Sequence, residues 1–187
     1  MNDPAIRKIL KRTELAGYMS DPNSRVVEEL KLPVLKSRID IAVVNGFLHG
    51  YEIKSAKDTL QRLSSQINAY SKVFDYLTVV TESKYQDRLN LPDWVGLAVC
   101  SDDNYPEFEI INPPIFNNKV EGFYIAKLLW HSELIELLIA NGISFKKKHR
   151  NWILCELLAS NIDTKILSAL VREKLKKRSE WKIKSDL

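Results

Sequence analysis

A chain of 187 residues that is 45% hydrophobic and 28% charged has the composition of an ordinary folded protein, which excludes disordered and fibrous classes. No apolar run approaches the ~18 residues of a membrane span. The first residues, MNDPAIRKILKR, put charge where a secretory signal would be apolar, so a cytoplasmic protein with no membrane segment is expected.

Charge is unevenly spread. Residues 1–118 carry 14 Lys and Arg against 16 Asp and Glu, whereas 119–187 carry 14 against 8. A basic tail suits a polyanion partner, although a solvated helix face gives the same excess. Cys100 and Cys155 lie far apart and form no C-x-x-C pair, which leaves zinc-ribbon and four-cysteine iron–sulfur sites without ligands. Both are expected to be buried free thiols.

In chain order, Ile6, Ile9, Leu10 and Leu15 recur at helical spacing, and Gly17 closes an N-terminal helix over 5–16. Val26, Val27 and Leu30, preceded by capping residues and stopped by Pro33, predict a second short helix carrying Glu28 and Glu29. RIDIAVV and FLHGYEIK then read as two strands joined at Asn45-Gly46, the strongest short hairpin signal. Leu60, Leu63, Ile67, Tyr70 and Phe74 place an amphipathic helix over 58–74. Strands at 76–81 and 96–100 with a helix at 82–89 between them give an α/β rhythm, and 107–111 adds an edge strand. Pro113-Pro114 and Asn117-Asn118-Lys119 mark a boundary between an α/β domain, 1–118, and a helical basic region, 119–187. Helices are expected there at 121–140, broken near His131, and at 150–159 and 163–177.

The informative feature is charge inside strands that want burial. Asp40 precedes Ile41-Ala42-Val43-Val44, and Glu52 and Lys54 flank Ile53. A carboxylate there is costly unless it is paired or binds a cation. Alternation puts Glu52 and Lys54 on one face. With Asp40 and the Ile53 carbonyl they offer oxygen donors for a hard cation such as Mg²⁺ or Mn²⁺, and Lys54 stands where it can act on a water or a phosphate oxygen. Parity imposes a condition. In a plain two-residue turn at Asn45-Gly46, Asp40 would oppose Tyr51 and face away from Glu52, so a one-residue bulge at Gly46 or Gly50 is predicted.

The ordered set Glu29, Asp40, Glu52-Ile53-Lys54 and Gln66-Ile67-Asn68-Ala69-Tyr70 resembles the PD-(D/E)XK nuclease superfamily, in its RecB-like branch with a Q-x-x-x-Y motif. Within that branch the segment Gly50-Tyr51-Glu52-Ile53-Lys54-Ser55 looks most like a set of small bacterial and phage proteins. The resemblance covers roughly residues 20–100. It implies a restriction-endonuclease-like α/β fold, a mixed central sheet flanked by helices, here with an all-helical C-terminal extension. It further implies that Asp40 and Glu52 bind metal with the Ile53 carbonyl, that Lys54 assists the water, and that Glu29 holds a metal-bound water or second ion from its helix. Gln66 and Tyr70 would organise the site. The pair that names the superfamily is Ile39-Asp40 here, a departure many members share.

The expected function is metal-dependent hydrolysis of phosphodiester bonds, in DNA above all, with a homodimer or a partner protein compatible. The competing reading is a nuclease-fold module that binds DNA or protein without turnover in a phage, defence or repair assembly. A third is a helix-turn-helix tail with 163–177 as its reading helix. His49 is expected to pack, His131 and His149 lack a second ligand nearby, and Trp94, Trp130, Trp152 and Trp181 are expected at the core or at domain contacts. Lys146–Lys148, Arg150, Lys174 and Lys176–Arg178 either follow phosphates or form a solvated face.

Overall fold

Six runs rich in β-branched and aromatic residues form one mixed sheet in the computed structural model, which describes residues 1–55, 58, 60–101, 107–146 and 148–178. The strands lie in the order of the chain: β1 (Arg25–Lys31), β2 (Arg38–Val44), β3 (Leu48–Lys54), β4 (Tyr76–Glu82), β5 (Val95–Ser101) and β6 (Glu107–Asn112). The first three form an antiparallel meander, β3, β4 and β5 run parallel, and β6 returns antiparallel.

Both faces are covered, which is why the central strands read as nearly unbroken apolar runs. On one face, Ile39, Ala42, Val44, Leu48, Leu77 and Val79 pack with α3 (Leu63–Ser71) and the tail helices. On the other, Ile41, Val43, Tyr51, Ile53 and Val80 pack with Ile6, Ile9 and Leu10 of α1 (Asp3–Arg12) and with Leu15. The helix α1 starts where Asn2 Oδ1 accepts from the Ala5 N–H at 3.1 Å, with Pro4 in its first turn. It ends at Arg12, and Gly17 lies inside a further short helix, α2 (Ala16–Ser20), rather than closing the first.

The helix expected near Val26–Leu30 is the strand β1. Val27 and Leu30 do share a face, which imitates helical spacing, but the cause is Glu29, whose φ of 56° interrupts the alternation. β2 changes faces at the same rung: Ile39 and Ala42 enter one cluster and Ile41 the other. The ladder pairs Glu28 with Ile41 and Leu30 with Ile39, skipping the position where Glu29 stands opposite Asp40.

The β2–β3 hairpin meets the parity condition by another device than the one predicted. Val44 pairs with Leu48 and Ala42 with Gly50, so the extra residue lies in a three-residue loop, Asn45–Phe47, closed by Phe47 N–H on Asn45 Oδ1 at 2.9 Å. The ladder itself carries no bulge, and neither Gly46 nor Gly50 has a positive φ. Continued past its last rung, Ile41 with Tyr51, this register sets Asp40 opposite Glu52.

Leu60–Arg62 is a single 3-10 turn before α3, leaving Leu60 exposed, and Ser83–Arg88 is a 3-10 segment in place of the expected helix. The tail forms α4 (Gly122–Ala126), α5 (His131–Ala140), α6 (Asn151–Asn161) and α7 (Thr164–Lys177). Gly142, at φ +66°, follows α5, and Asp163 caps α7 by accepting from the Lys165 N–H at 2.9 Å. Leu134, Leu154, Leu158, Leu167 and Val171 of these helices join the sheet's first apolar cluster. Asn117 is buried and donates to the carbonyls of Ser71 and Phe74 at 2.6 and 2.8 Å. Among the described residues no helix is long and apolar enough to cross a membrane. Both cysteines are free and buried, and burial pushes their thiols up to about 11 (Cys100) and about 12 (Cys155).

Candidate functional site

Beyond the last rung of the β2–β3 ladder the two strands part, and a cleft of about 790 Å³ opens at the C-terminal end of β3. Asp40, Glu52, Ile53, Lys54 and Gln66 all line it. Glu52 and Lys54 lie on the β3 face that packs against α3, and both are buried, 3% and 8% exposed. The helix α3 turns Gln66 and Tyr70 toward them, one helical turn apart.

The four side chains form a closed network. Lys54 Nζ donates to Glu52 Oε1 at 2.7 Å and to Gln66 Oε1 at 3.0 Å. Gln66 Nε2 donates to Glu52 Oε1 at 2.7 Å and to the Tyr70 hydroxyl at 3.2 Å. The Tyr70 hydroxyl lies 2.7 Å from Glu52 Oε2 and 2.8 Å from the Arg38 carbonyl. Its single proton serves one acceptor at a time, and the charged carboxylate is the stronger. Burial, then the Glu52 charge, push the Tyr70 phenol well above its ordinary pKa, so it stays a donor. Thr81 Oγ1 donates to the Lys54 carbonyl at 2.7 Å and fixes the end of the strand.

Asp40 enters from β2. Its Oδ2 accepts from the Ile53 N–H at 2.8 Å, in place of the ladder bond that the parted strands no longer make. The N–H and C=O of one strand residue point to the same side, so the Ile53 carbonyl also faces Asp40. Burial and, next, the Glu52 charge raise the Asp40 carboxyl to about 6, against the opposing pull of the Ile53 N–H and Arg7. Two mutually repelling carboxylates and a carbonyl are an all-oxygen donor set of the kind a hard cation takes. Among the described residues no group of three or more His, Cys, Asp and Glu side chains is gathered to hold a metal. A cation here would rest on two carboxylates, the carbonyl and water.

Arg7 of α1, which sequence reasoning passed over, is central. Its guanidinium donates to the Asp40 carbonyl at 3.0 Å, to Asp40 Oδ1 at 3.3 Å and to Glu29 Oε1 at 3.0 Å. Burial works to lower its pKa, but Asp3, Asp40 and Glu29 together hold it above the ordinary value. Its only signal in the sequence was a place on the polar side of an amphipathic helix, which does not say what it reaches across the sheet.

Glu29 is where the expectation needs most correction. It stands on the edge strand β1, not on a helix, is largely exposed, and pairs with Arg7 and with Arg38 Nε at 2.6 Å. It is held by arginines beside Asp40 and is absent from the cleft lining. Its neighbour Glu28 pairs with Lys11 and with Arg7. His49 lies outside the site: its ring stacks on Tyr51 at 4.3 Å, contacts Thr78 Oγ1 at 2.9 Å and is pushed down to about 4 by burial. His131 meets Asn151, and His149 accepts from the Lys146 N–H. Trp94 packs on the core, Trp130 lies 4.3 Å from the Arg178 guanidinium, and Trp152 is half exposed rather than buried. Trp181 and Lys147 fall outside the described residues.

Among the described residues, four of the tail's cations are held in ion pairs. Arg172 pairs with Asp75, Lys174 with Glu136, Lys176 with Glu173 and Arg178 with Glu133. Cations also line the cleft, where Lys31, Lys36 and Arg62 are exposed.

Comparison with known proteins adds a family. A family model described as Bacteriophage P4 protein cII matches residues 6–186. "Protein cII" of Enterobacteria phage P4 is 29% identical over 166 residues, covering 87% of this chain and 61% of that protein, so the chain spans less than two thirds of its relative's length. A solved structure, the SPO1766 protein of unknown function from Silicibacter pomeroyi, superposes with a TM-score of 0.47 at 19% identity, over 77% of this chain and 94% of that one.

Proposed function

The chain belongs to the bacteriophage P4 protein cII family, and we propose that it is a metal-dependent nuclease of PD-(D/E)XK type with a restriction-endonuclease-like fold, hydrolysing phosphodiester bonds in nucleic acid, DNA above all. The observation that carries this reading is the meeting of Asp40, Glu52, Lys54 and Gln66, from three elements, at one cleft with exposed cations at its rim and Tyr70 bonded to Glu52 from beneath.

Asp40, Glu52 and the Ile53 carbonyl would hold Mg²⁺ or Mn²⁺, and such an ion supplies the charge that lowers the pKa of an attacking water and offsets that of the phosphate. The protein's own groups do the rest. Gln66 and Tyr70 fix the Glu52 carboxylate in one orientation, which is positioning set before the substrate arrives. Among the described residues Lys54 uses two of its three N–H donors, leaving one for a phosphate oxygen on which charge builds. Arg7 and Glu29 hold Asp40 in place from behind and take no part in the chemistry.

Plasmid and linear DNA incubated with the protein and Mg²⁺ or Mn²⁺, beside Asp40→Ala and Lys54→Ala, test the reading. Cleavage by the wild type that chelation stops and both substitutions abolish is expected; equal activity or equal inertness of all three counts against it. One observation favours a second reading, a nuclease-fold module that binds without turnover: Arg7 and Lys54 already neutralise Asp40 and Glu52, so the acids are tolerated with no cation. Calorimetric DNA affinity that is indifferent to metal would favour it.

A further inference from the structure

The turn joining β1 to β2 forms one wall of the cleft, and its sequence is wrong for its shape. Ser37 N–H donates to the Val34 carbonyl at 2.9 Å around Leu35 and Lys36, whose φ values are 50° and 49°. Positive φ at both central positions is the signature of a type I′ turn, which selects Asn-Gly and strongly disfavours a branched side chain. Leu and Lys stand there instead. The flanking residues leave the turn no freedom: Leu32 and Val34 are buried in the main core, and Leu32 N–H donates to the Ser37 carbonyl at 2.8 Å. Leu35 is thereby held out at the cleft mouth, 69% exposed, between the cations Lys31, Lys36, Arg38 and Arg62. Backbone strain that a more permissive residue would relieve persists where the side chain is needed.

We propose that Leu35 is a wedge that enters between stacked bases of a DNA duplex lying in this cleft, while the surrounding cations hold the flanking phosphates. The inference rests on the reading of the cleft as a nucleic-acid site and adds its substrate class: a duplex that must be opened at the site, in preference to a strand already single. An apolar side chain flanked by phosphate-binding cations is the arrangement by which proteins unstack a base step. Leu35 offers bulk without a hydrogen-bonding group, so it displaces a base without reading one.

The test needs no catalysis. The full chain is mixed, in EDTA, with a duplex carrying 2-aminopurine, whose emission rises when it is unstacked, and with the matching single strand. Wild type is expected to bind the duplex and raise the emission severalfold. Leu35→Asn, which suits positive φ, should fold with an equal or higher melting temperature, keep most of its DNA affinity and lose the emission rise. Leu35→Met should keep it. Binding without an emission rise, or an undiminished rise in Leu35→Asn, overturns the wedge and leaves the nucleic-acid site standing. Failure to bind either duplex or single strand removes the nucleic-acid reading, and the wedge with it.

Discussion

The two ends of β3 both bury charge, and they use it in opposite ways. At the N-terminal end, Asp75 Oδ2 accepts from the Leu48 N–H at 2.8 Å, Asp75 N–H donates to the Leu48 carbonyl, and Asn117 donates to the carbonyls of Ser71 and Phe74. Arg172 of α7 lies 3.6 Å from the same carboxylate. Polar side chains there bond to main chain and join the tail to the sheet. At the C-terminal end, Glu52, Lys54, Gln66 and Tyr70 bond to one another beside an open cleft. A buried charge is therefore not by itself the mark of a site. Both ends border a cavity. What separates them is whether the partners of the polar groups are mainly backbone groups, which fix a fold, or other side chains, which can rearrange.

Substitutions at the two ends should separate accordingly. The largest effect is expected for Asp40→Ala and Lys54→Ala, which should lower DNA cleavage by about 100-fold or more. The melting temperature of Asp40→Ala should fall less than that of Asp75→Ala, because the freed Ile53 N–H borders the open cleft and can take a water, Arg7 keeps Asp3 and Glu29 as partners, and the repulsion with Glu52 is relieved. Parallel nicking assays and thermal melts read the two quantities. Asp75→Ala should do the reverse, costing about 3 kcal/mol in denaturant unfolding by stranding the Leu48 N–H and Arg172, with cleavage per folded molecule unchanged.

His49, near the joining end, gives a pH signature. Its folded pKa of about 4 lies below the ordinary 6.5, so below pH 6.5 the unfolded chain takes up a proton that the fold refuses. Stability should fall as pH drops from 6.5 toward 4, by about 3 kcal/mol, and His49→Gln should flatten that slope in urea melts. The smallest effect is expected for Tyr70→Phe, which removes one hydrogen bond to Glu52 and should cost about 1 kcal/mol. It should also reduce cleavage less than Lys54→Ala does. If Tyr70→Phe left activity untouched while Asp75→Ala abolished it, the contrast between the two ends would fail.

Part of this was legible beforehand, and particular residues show why. Asp40, Glu52 and Lys54 announced themselves because a charge inside an apolar strand run breaks a local rule. Gln66 and Tyr70 came from the resemblance to nucleases with a Q-x-x-x-Y motif, and their spacing agrees with it, because four residues along a helix make one row. Glu29 was misplaced because Val27 and Leu30, three apart, look alike on a helix and on a strand whose alternation is interrupted, and nothing local tells a φ of 56° from a helical one. The bulge was expected at a glycine because glycines tolerate bulges, yet the extra residue went into the loop, where Asn45 could close it with its own side chain. Arg7 could not be seen, since its partners lie 22 and 33 residues away in sequence.

By itself, then, the sequence determined an α/β chain with a helical tail and which charged residues are under local stress, because propensity, periodicity and desolvation act within a few residues. Only the tertiary structure decided that Asp40 stands opposite Glu52, that Arg7 lies behind it and ties it to Glu29, and that Leu35 is held out over the cleft. Each of those depends on strand register and on which core residues anchor a turn, and packing across the whole chain settles both.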